Sequence, residues 1–146
     1  MKTYSQKPAD VKRQWFLIDA SQASFGRVAT VAASLLIGKG KPTFTSHVDG
    51  GDYVVIINTD EMVATGAKQI KKIYWRHSGF PGGIYKRTLD QQKAKDSTKI
   101  IRQAVRGMLP VNKLRAGRLE RLKIYTGAEH AHMPQKPTEL SLKGDK

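Results

Sequence analysis

Residues 15–58 decide the fold: WFLID (15–19), ASQAS (20–24), FGRVATVAASLLIG (25–38), KGKPTFTSHVDGGD (39–52) and YVVIIN (53–58). The first and last segments are short apolar runs. The second of them is continuous and β-branched, the pattern of a strand covered on both faces. Between them Val28, Val31, Ala32, Leu35 and Leu36 recur at helical spacing, which predicts a helix over 26–37 with Gly38 as its stop and Ser21 or Ser24 as its cap. Glycines and Pro42 make 39–52 a loop. Strand, helix and strand in that order predict a βαβ crossover, and therefore a parallel sheet.

Outward from this unit the pattern is weaker. Residues 1–14 are polar and read as a tail. Residues 71–76 (KKIYWR) are a third strand candidate, polar enough for a sheet edge or a strand leading out to the surface. Residues 78–86 form a turn-rich loop around Pro81, Gly82 and Gly83, and a short helix is expected over 88–95. Asp96 or Ser97 caps a clearer helix running to about Met108. Its apolar stripe is Ile100, Ile101, Ala104, Val105 and Met108, with Lys99, Arg102 and Arg106 on another face. Pro110 interrupts it, and Asn112 caps a further short helix that carries Leu114 and Leu119 among basic residues. Residues 122–125 (LKIY) are the fourth strand candidate. The expectation is one α/β domain over 15–127, flanked by an N-terminal tail (1–14) and a C-terminal extension (128–146).

A chain of 146 residues is long enough for one real core, and the 39% apolar content leaves room for polar ends. The absence of cysteine excludes a disulfide framework and a thiolate metal site, and fits a reducing cytosol. Residues 1–14 lack the apolar run of a secretory signal, and no run is long enough to span a bilayer, so a soluble intracellular protein is expected. The formal net charge is +14. It is concentrated in residues 68–123, where sixteen Lys and Arg face only Asp90, Asp96 and Glu120. Like charges gathered on this scale repel one another unless a polyanion neutralises them. Nucleic acid is the favoured partner; a membrane is disfavoured because no basic helix carries a bulky apolar face.

The basic region opens with residues 66–86, GAKQIKKIYWRHSGFPGGIYK. Cations alternate there with Ile73, Tyr74, Trp75, Phe80 and Tyr85, a composition suited to phosphates and stacked bases. Tyr74 and Trp75 are adjacent and point to opposite faces of a strand, so Ile73 and one of the two rings are assigned to the scaffold. Phe80 and Tyr85 are the candidates for stacking on a base or ribose.

Catalysis finds little support. The turn after the first strand, DASQASFG, has one glycine and not the spaced three of a dinucleotide fingerprint. Gly38-Lys39-Gly40-Lys41 lacks the upstream glycine and the Ser or Thr after Lys that a phosphate loop requires, and it follows a helix. Neither His47 with Asp49 and Asp52, nor His130 with His132, makes a closed ligand group; Asp49 to Asp52 reads as a turn in which Asp52 fixes the start of the next strand. No G-x-S-x-G elbow is present. No catalytic residue, metal, cofactor or small-molecule substrate is therefore expected. No zinc finger, basic zipper or RNA-recognition-motif signature appears, and cations on loops and element ends suit contact with a folded RNA.

From about Trp15 to Pro137 the residues resemble the large-subunit ribosomal protein L-thirteen family in its bacterial form. The resemblance rests on Trp15 with Ile18-Asp19-Ala20, Phe25-Gly26-Arg27-Val28-Ala29, His47-Val48-Asp49 with Gly51-Asp52, and Val55-Ile56-Ile57-Asn58. It continues in Lys72-Ile73-Tyr74, His77-Ser78-Gly79-Phe80-Pro81-Gly82-Gly83, Gly107-Met108-Leu109-Pro110, Leu122-Lys123-Ile124-Tyr125-Thr126-Gly127 and His130-Ala131-His132. The Pro-Gly-Gly and Gly-Met-Leu-Pro segments are the most specific. One departure is that Arg115-Ala116 follows Leu114 where the family usually has Gly-Arg, with Gly117-Arg118 two positions later. The resemblance implies a three-layer α/β/α fold around a short, mostly parallel four-stranded sheet. It also implies a non-enzymatic structural constituent of the large ribosomal subunit, bound to large-subunit ribosomal RNA, supporting early assembly, and residing in the cytoplasmic ribosome beside other ribosomal proteins. The candidate RNA-binding residues are Lys39, Lys41, His47, Lys68, Lys71, Lys72, Arg76, His77, Phe80, Lys86, Arg87, Arg102, Arg106, Lys113, Arg115, Arg118, Arg121, Lys123, His130, His132 and Lys136.

Overall fold

The computed structural model describes residues 4–142; the outer ends of the expected tail and extension, residues 1–3 and 143–146, lie outside the described residues. Strand β1 (Trp15–Asp19) and strand β2 (Tyr53–Ile57) pair in parallel, from Trp15 opposite Tyr53 to Asp19 opposite Ile57. Helix α1 (Phe25–Ile37) crosses between them, as the alternation of apolar runs predicts. Ser24 occupies the helix cap position, but its side chain makes no cap bond. The Phe25 amide instead donates to the Val63 carbonyl (3.0 Å), while Ser21 turns back onto the Asp19 carboxylate through its amide (2.9 Å) and hydroxyl (2.8 Å).

The far end of α1 is where loop 38–52 folds back. Gly38 adopts the left-handed conformation (φ 82°) and its amide closes onto the Ser34 and Leu35 carbonyls. The Asp52 amide donates to the Leu35 carbonyl at 3.1 Å. Contact is so close that a Cβ at Gly51 would lie 1.8 Å from the Leu36 oxygen. Gly38 and Gly51 thus serve close backbone approach, and the buried Asp52 carboxylate accepts from the Gln14 amide (2.8 Å) at the entry to β1.

The sheet has four parallel strands in the order β5 (Leu122–Ile124), β2, β1, β6 (Thr138–Leu140). The count matches the expectation, but the membership differs. Residues 71–76 do not enter the sheet: Ile73–His77 becomes β3 and pairs antiparallel with β4 (Ile84–Thr88), in a hairpin made partly from residues read as loop. The fourth sheet strand is β6, from the segment beyond Gly127. It had no sequence signal because Thr138, Glu139 and Leu140 follow Pro137 and include one large apolar residue.

One sheet face supplies Ile18, Val54, Ile56 and Leu122 to the core, against Val28, Ala32 and Leu36 of α1 and Ile100, Ile101 and Val105 of α4 (Ser97–Met108). Truncating any of the leucines or isoleucines among these to alanine costs about 2–5 kcal/mol. The other face begins with Trp15 stacked on Tyr53, ring centroids 4.3 Å apart, and His132 lies 5.0 Å from Trp15. Asp96 caps α4 through the Thr98 amide (3.1 Å), and α3 (Leu89–Lys95) starts with a capping box between Thr88 and Gln91. Asn112 does not cap α5 (Arg115–Glu120) directly: its side chain accepts from the Leu114 amide and shapes the turn before that helix. Among the described residues no helix is long and apolar enough to cross a membrane.

Candidate nucleic-acid interface

The β3–β4 hairpin is a two-stranded sheet of its own, preceded in the chain by the single turn α2 (Lys68–Lys71). Its tip is tied by the Ser78 amide to the Gly83 carbonyl (2.9 Å), and Gly79 and Gly82 supply positive φ values of 92° and 73°. A Cβ at Gly83 would sit 1.9 Å from the Ser78 hydroxyl, so the Pro-Gly-Gly turn is built for tight closure. Cross-strand register sorts the side chains onto two faces. Tyr74 faces Arg87 and Arg76 faces Tyr85 on one; Ile73 faces Thr88, Trp75 faces Lys86 and His77 faces Ile84 on the other.

Tyr74 is the inward ring, packed against the core, and Trp75 is 63% exposed, so the pair divides as their adjacency requires. Ile73 corrects the scaffold expectation: it is exposed, because its face of the hairpin has no element packed over it. Phe80 at the tip is 75% exposed and Tyr85 is 59% exposed, both open for stacking. The Tyr74 hydroxyl is buried without a hydrogen bond, and burial pushes its pKa above 10.0. Lys72 Nζ lies 5.6 Å from the Tyr74 ring centroid and 5.8 Å from that of Phe25, and Lys68 Nζ lies 5.7 Å from Phe25, so both cations rest on aromatic faces.

Between the hairpin and helices α3 and α4 lies a cleft of about 680 Å³, lined by Tyr74, Trp75, Arg76, His77, Ser78, Tyr85, Arg87, Gln92, Lys99 and Gln103. No carboxylate lines it. At the β5 edge a shallower groove brings Arg102 and Lys123 together beside Glu120 and Tyr125. Among the described residues the ion pairs are Lys41–Asp52, Lys99–Asp96, Arg118–Asp49 and Arg121–Asp49. Arg76, Lys86, Arg87, Arg102, Arg106 and Lys113 take part in none of them, and most are exposed.

Two candidates leave this set. Arg118, 1% exposed, and Arg121 are buried and turned inward. Arg121 grips Asp49 with both terminal nitrogens at 2.6 Å and also donates to the Leu36 carbonyl (3.3 Å), while Arg118 Nε lies 3.6 Å from Asp49. A cation at the C-terminal carbonyls of α1 suits the helix dipole. Burial works to raise the Asp49 pKa, but the Arg121 hydrogen bonds and the charges of Arg121, Arg13 and Arg118 outweigh it and hold the carboxyl below its ordinary range. Lys41 is likewise engaged, bonding Asp52 (2.6 Å) and the Lys12 and Gly50 carbonyls (2.9 Å each). Arg115 is half-committed, donating to the Arg106 carbonyl at 2.5 Å.

The remaining candidates are dispersed. Lys39 and His47 are exposed on loop 38–52, Lys71 on α2, and Lys136 just before β6. His130 and His132 belong to an aromatic group with Trp15 and Tyr125. Burial first, then Lys123 and His130, push the His132 pKa below 6.5. Sequence reading did not place Gln92, Lys99 or Gln103 in an interface; the one available signal was the four-residue spacing of Lys99 and Gln103, which puts them on one side of α4.

With the hairpin, its cleft and its unpaired cations in place, comparison with known proteins is direct. The family described as "Ribosomal protein L13" matches residues 13–131. The chain belongs to the ribosomal protein L13 family. "Large ribosomal subunit protein uL13" of Neisseria gonorrhoeae is 53% identical over 98% of this chain and 100% of its own length. The proteins of the same name from Halorhodospira halophila and Kocuria rhizophila are 49% and 50% identical, over 97% and 94% of this chain and 100% and 93% of their own. The L13 match takes in β1 through β5 and the hairpin, and β6 lies beyond it. The Arg115-Ala116 departure from the usual L13 pattern falls on the first turn of α5, whose later residues Gly117 and Arg118 sit against Asp49.

Proposed function

We propose that this L13 family member is a non-enzymatic structural constituent of the large ribosomal subunit that binds large-subunit ribosomal RNA and supports early assembly in the cytoplasm. The observation that carries the reading is the set of cations without carboxylate partners, Arg76, Lys86, Arg87, Arg102, Arg106 and Lys113, held on the hairpin, α4 and the turn before α5. Cations fixed on a rigid body bridge RNA segments that otherwise repel. Lys39, His47, Lys68, Lys71, Lys72, His77, Phe80, Arg115, Lys123, His130, His132 and Lys136 are further contacts spread over other parts of the chain. Lys41, Arg118 and Arg121 hold the body that presents it.

Residues 15–127 act as the RNA-binding body. Residues 1–14 and 128–146 extend it; their described parts lean on it, as the Arg13 bonds to the Gly51 (2.6 Å) and Asp49 (3.1 Å) carbonyls and the β6 pairing indicate. Exposed Ile70 and Ile84 support neighbouring large-subunit proteins as further partners. The test is cosedimentation with large subunits after a salt wash, together with the salt dependence of binding to purified large-subunit RNA. Affinity should fall by about three to five decades between roughly 50 and 200 mM salt for six to ten phosphates contacted. A flat salt response, or equal affinity for unrelated RNA and DNA, overturns the reading.

A further inference from the structure

The cleft between the hairpin and α4 holds more than charge. Arg76 and Tyr85 form one cross-strand pair on its hairpin wall, and Tyr74 and Arg87 form the next. The strand register therefore sets each arginine opposite an aromatic residue. Neither arginine has an ion-pair partner among the described residues. The opposite wall, from α3 and α4, carries the Gln103 amide, together with Lys99, which pairs with Asp96 (3.1 Å), and Gln92, whose amide donates to the Asp96 carbonyl (3.2 Å). Half-buried Tyr74 lies at the core side, its buried hydroxyl without a partner. The volume, about 680 Å³, is that of a site for one small-molecule-sized group, too small for a duplex.

We infer that this cleft takes one unpaired nucleotide of the bound RNA, turned out of its helix, with the base stacked on Tyr85, the phosphate held by Arg76 and Arg87, and the base edge read by Gln103. The chemistry is matched part by part. A base presents a π-face to a tyrosine ring, a phosphate accepts from a guanidinium fork, and a side-chain amide donates to and accepts from a base edge. A carboxylate-free lining favours the anion, and the aromatic and amide side chains of the cleft suit a base. The inference rests on the RNA-binding reading and adds a single-nucleotide specificity to it.

The experiment is binding of the full chain to purified large-subunit RNA, with chemical probing of base reactivity in the complex. Tyr85→Ala should lose about 5- to 150-fold in affinity, the range of a lost base–aromatic stack, with an unchanged salt slope because no charge is removed. Arg87→Gln should lower affinity and reduce the slope by about one. Wild type should alter the reactivity of an unpaired base that Tyr85→Ala and Gln103→Ala leave as in free RNA. If wild type binds with a steep salt slope and both variants match it in affinity and probing pattern, the nucleotide site is wrong and the RNA-binding reading stands. If wild type shows no salt-dependent RNA binding, that reading itself fails. Free AMP binding the cleft at low micromolar concentration without RNA would make the occupant a free nucleotide and overturn the inference.

Discussion

The Asp49 cluster offers the sharpest test of how the body is held together. Arg121 forms a two-pronged pair with Asp49 at 2.6 Å on each prong, and Arg118 Nε approaches to 3.6 Å. Asp49→Asn keeps the shape but leaves two buried guanidinium groups without their carboxylate. Removing one partner of a buried pair costs about 3–5 kcal/mol. Asp49 itself keeps 19% of its side-chain surface in water, so the lower end, about 3 kcal/mol, is expected. For a chain of this length that is a fall in Tm of about 10 °C. Urea denaturation and calorimetry measure it, with Glu129→Gln on the exposed surface as a control within about 0.5 kcal/mol. Combining Asp49→Asn with Arg121→Met should cost less than the sum of the two, because the second change removes the charge that the first stranded. The pH dependence follows in sign. The folded carboxyl is held below its ordinary 3.8, so the folded state binds fewer protons. The stabilisation is present above 3.8 and is lost as pH falls through the folded value, so wild type and variant should converge in acid. A loss under about 1 kcal/mol at neutral pH, or strict additivity in the double variant, refutes the reasoning.

The remaining expectations are simpler. Gly51→Ala drives a Cβ to 1.8 Å from the Leu36 carbonyl oxygen and should destabilise by about 1–3 kcal/mol or more, whereas Gly107→Ala on α4 meets no atom within 4 Å and should stabilise by about 0.5–1 kcal/mol. Thermal melts showing the two variants alike would remove the close-approach argument. Arg106→Gln should reduce the salt slope of RNA binding by about one without changing Tm, while Arg118→Ala should unfold the chain at lower denaturant because that side chain is 1% exposed. For His132 the folded pKa lies below 6.5, chiefly through burial, so the folded state binds fewer protons and stability declines as pH falls through 6.5 toward the folded value. His132→Phe keeps a ring beside Trp15 and should abolish that portion of the pH dependence in denaturation curves; an unchanged profile would refute it.

The βαβ unit was legible because strand and helix periodicities differ and each segment was long enough to show its own. Val28, Ala32 and Leu36 repeat at helical spacing, and Val54 to Ile57 form an unbroken apolar run. The hairpin was half legible. Residues 71–76 read as a strand, close to the observed Ile73–His77, but residues 84–86 of β4 fall inside the loop read over 78–86 and Thr88 inside the helix read over 88–95, although a tight turn between two strands is also what Pro81, Gly82 and Gly83 build. Strand β6 was not legible: three residues supply no periodicity, and its place is set by pairing to β1. Local pattern does not report such long-range pairing.

The candidate site shows a different limit. Arg106, Arg115, Arg118 and Arg121 look alike in sequence, all within a basic run. The structure divides them by what lies across the fold. Arg118 and Arg121 meet Asp49, about seventy residues earlier, and that one carboxylate, brought there by the close return of loop 38–52 onto α1, turns two of four arginines inward. Arg106 has no such partner and stays exposed. The same logic separates Lys41, tied to Asp52, from Lys39, two residues earlier and exposed. Carboxylates are scarce in the basic region, so each loop acid that reaches it decides which cations serve the body and which remain for a polyanion. It follows that charge count alone overstates the RNA-facing set. Neutralising Asp49 should add little RNA affinity, because Arg118 and Arg121 stay buried where they are; what it weakens is the body that holds the other cations in place.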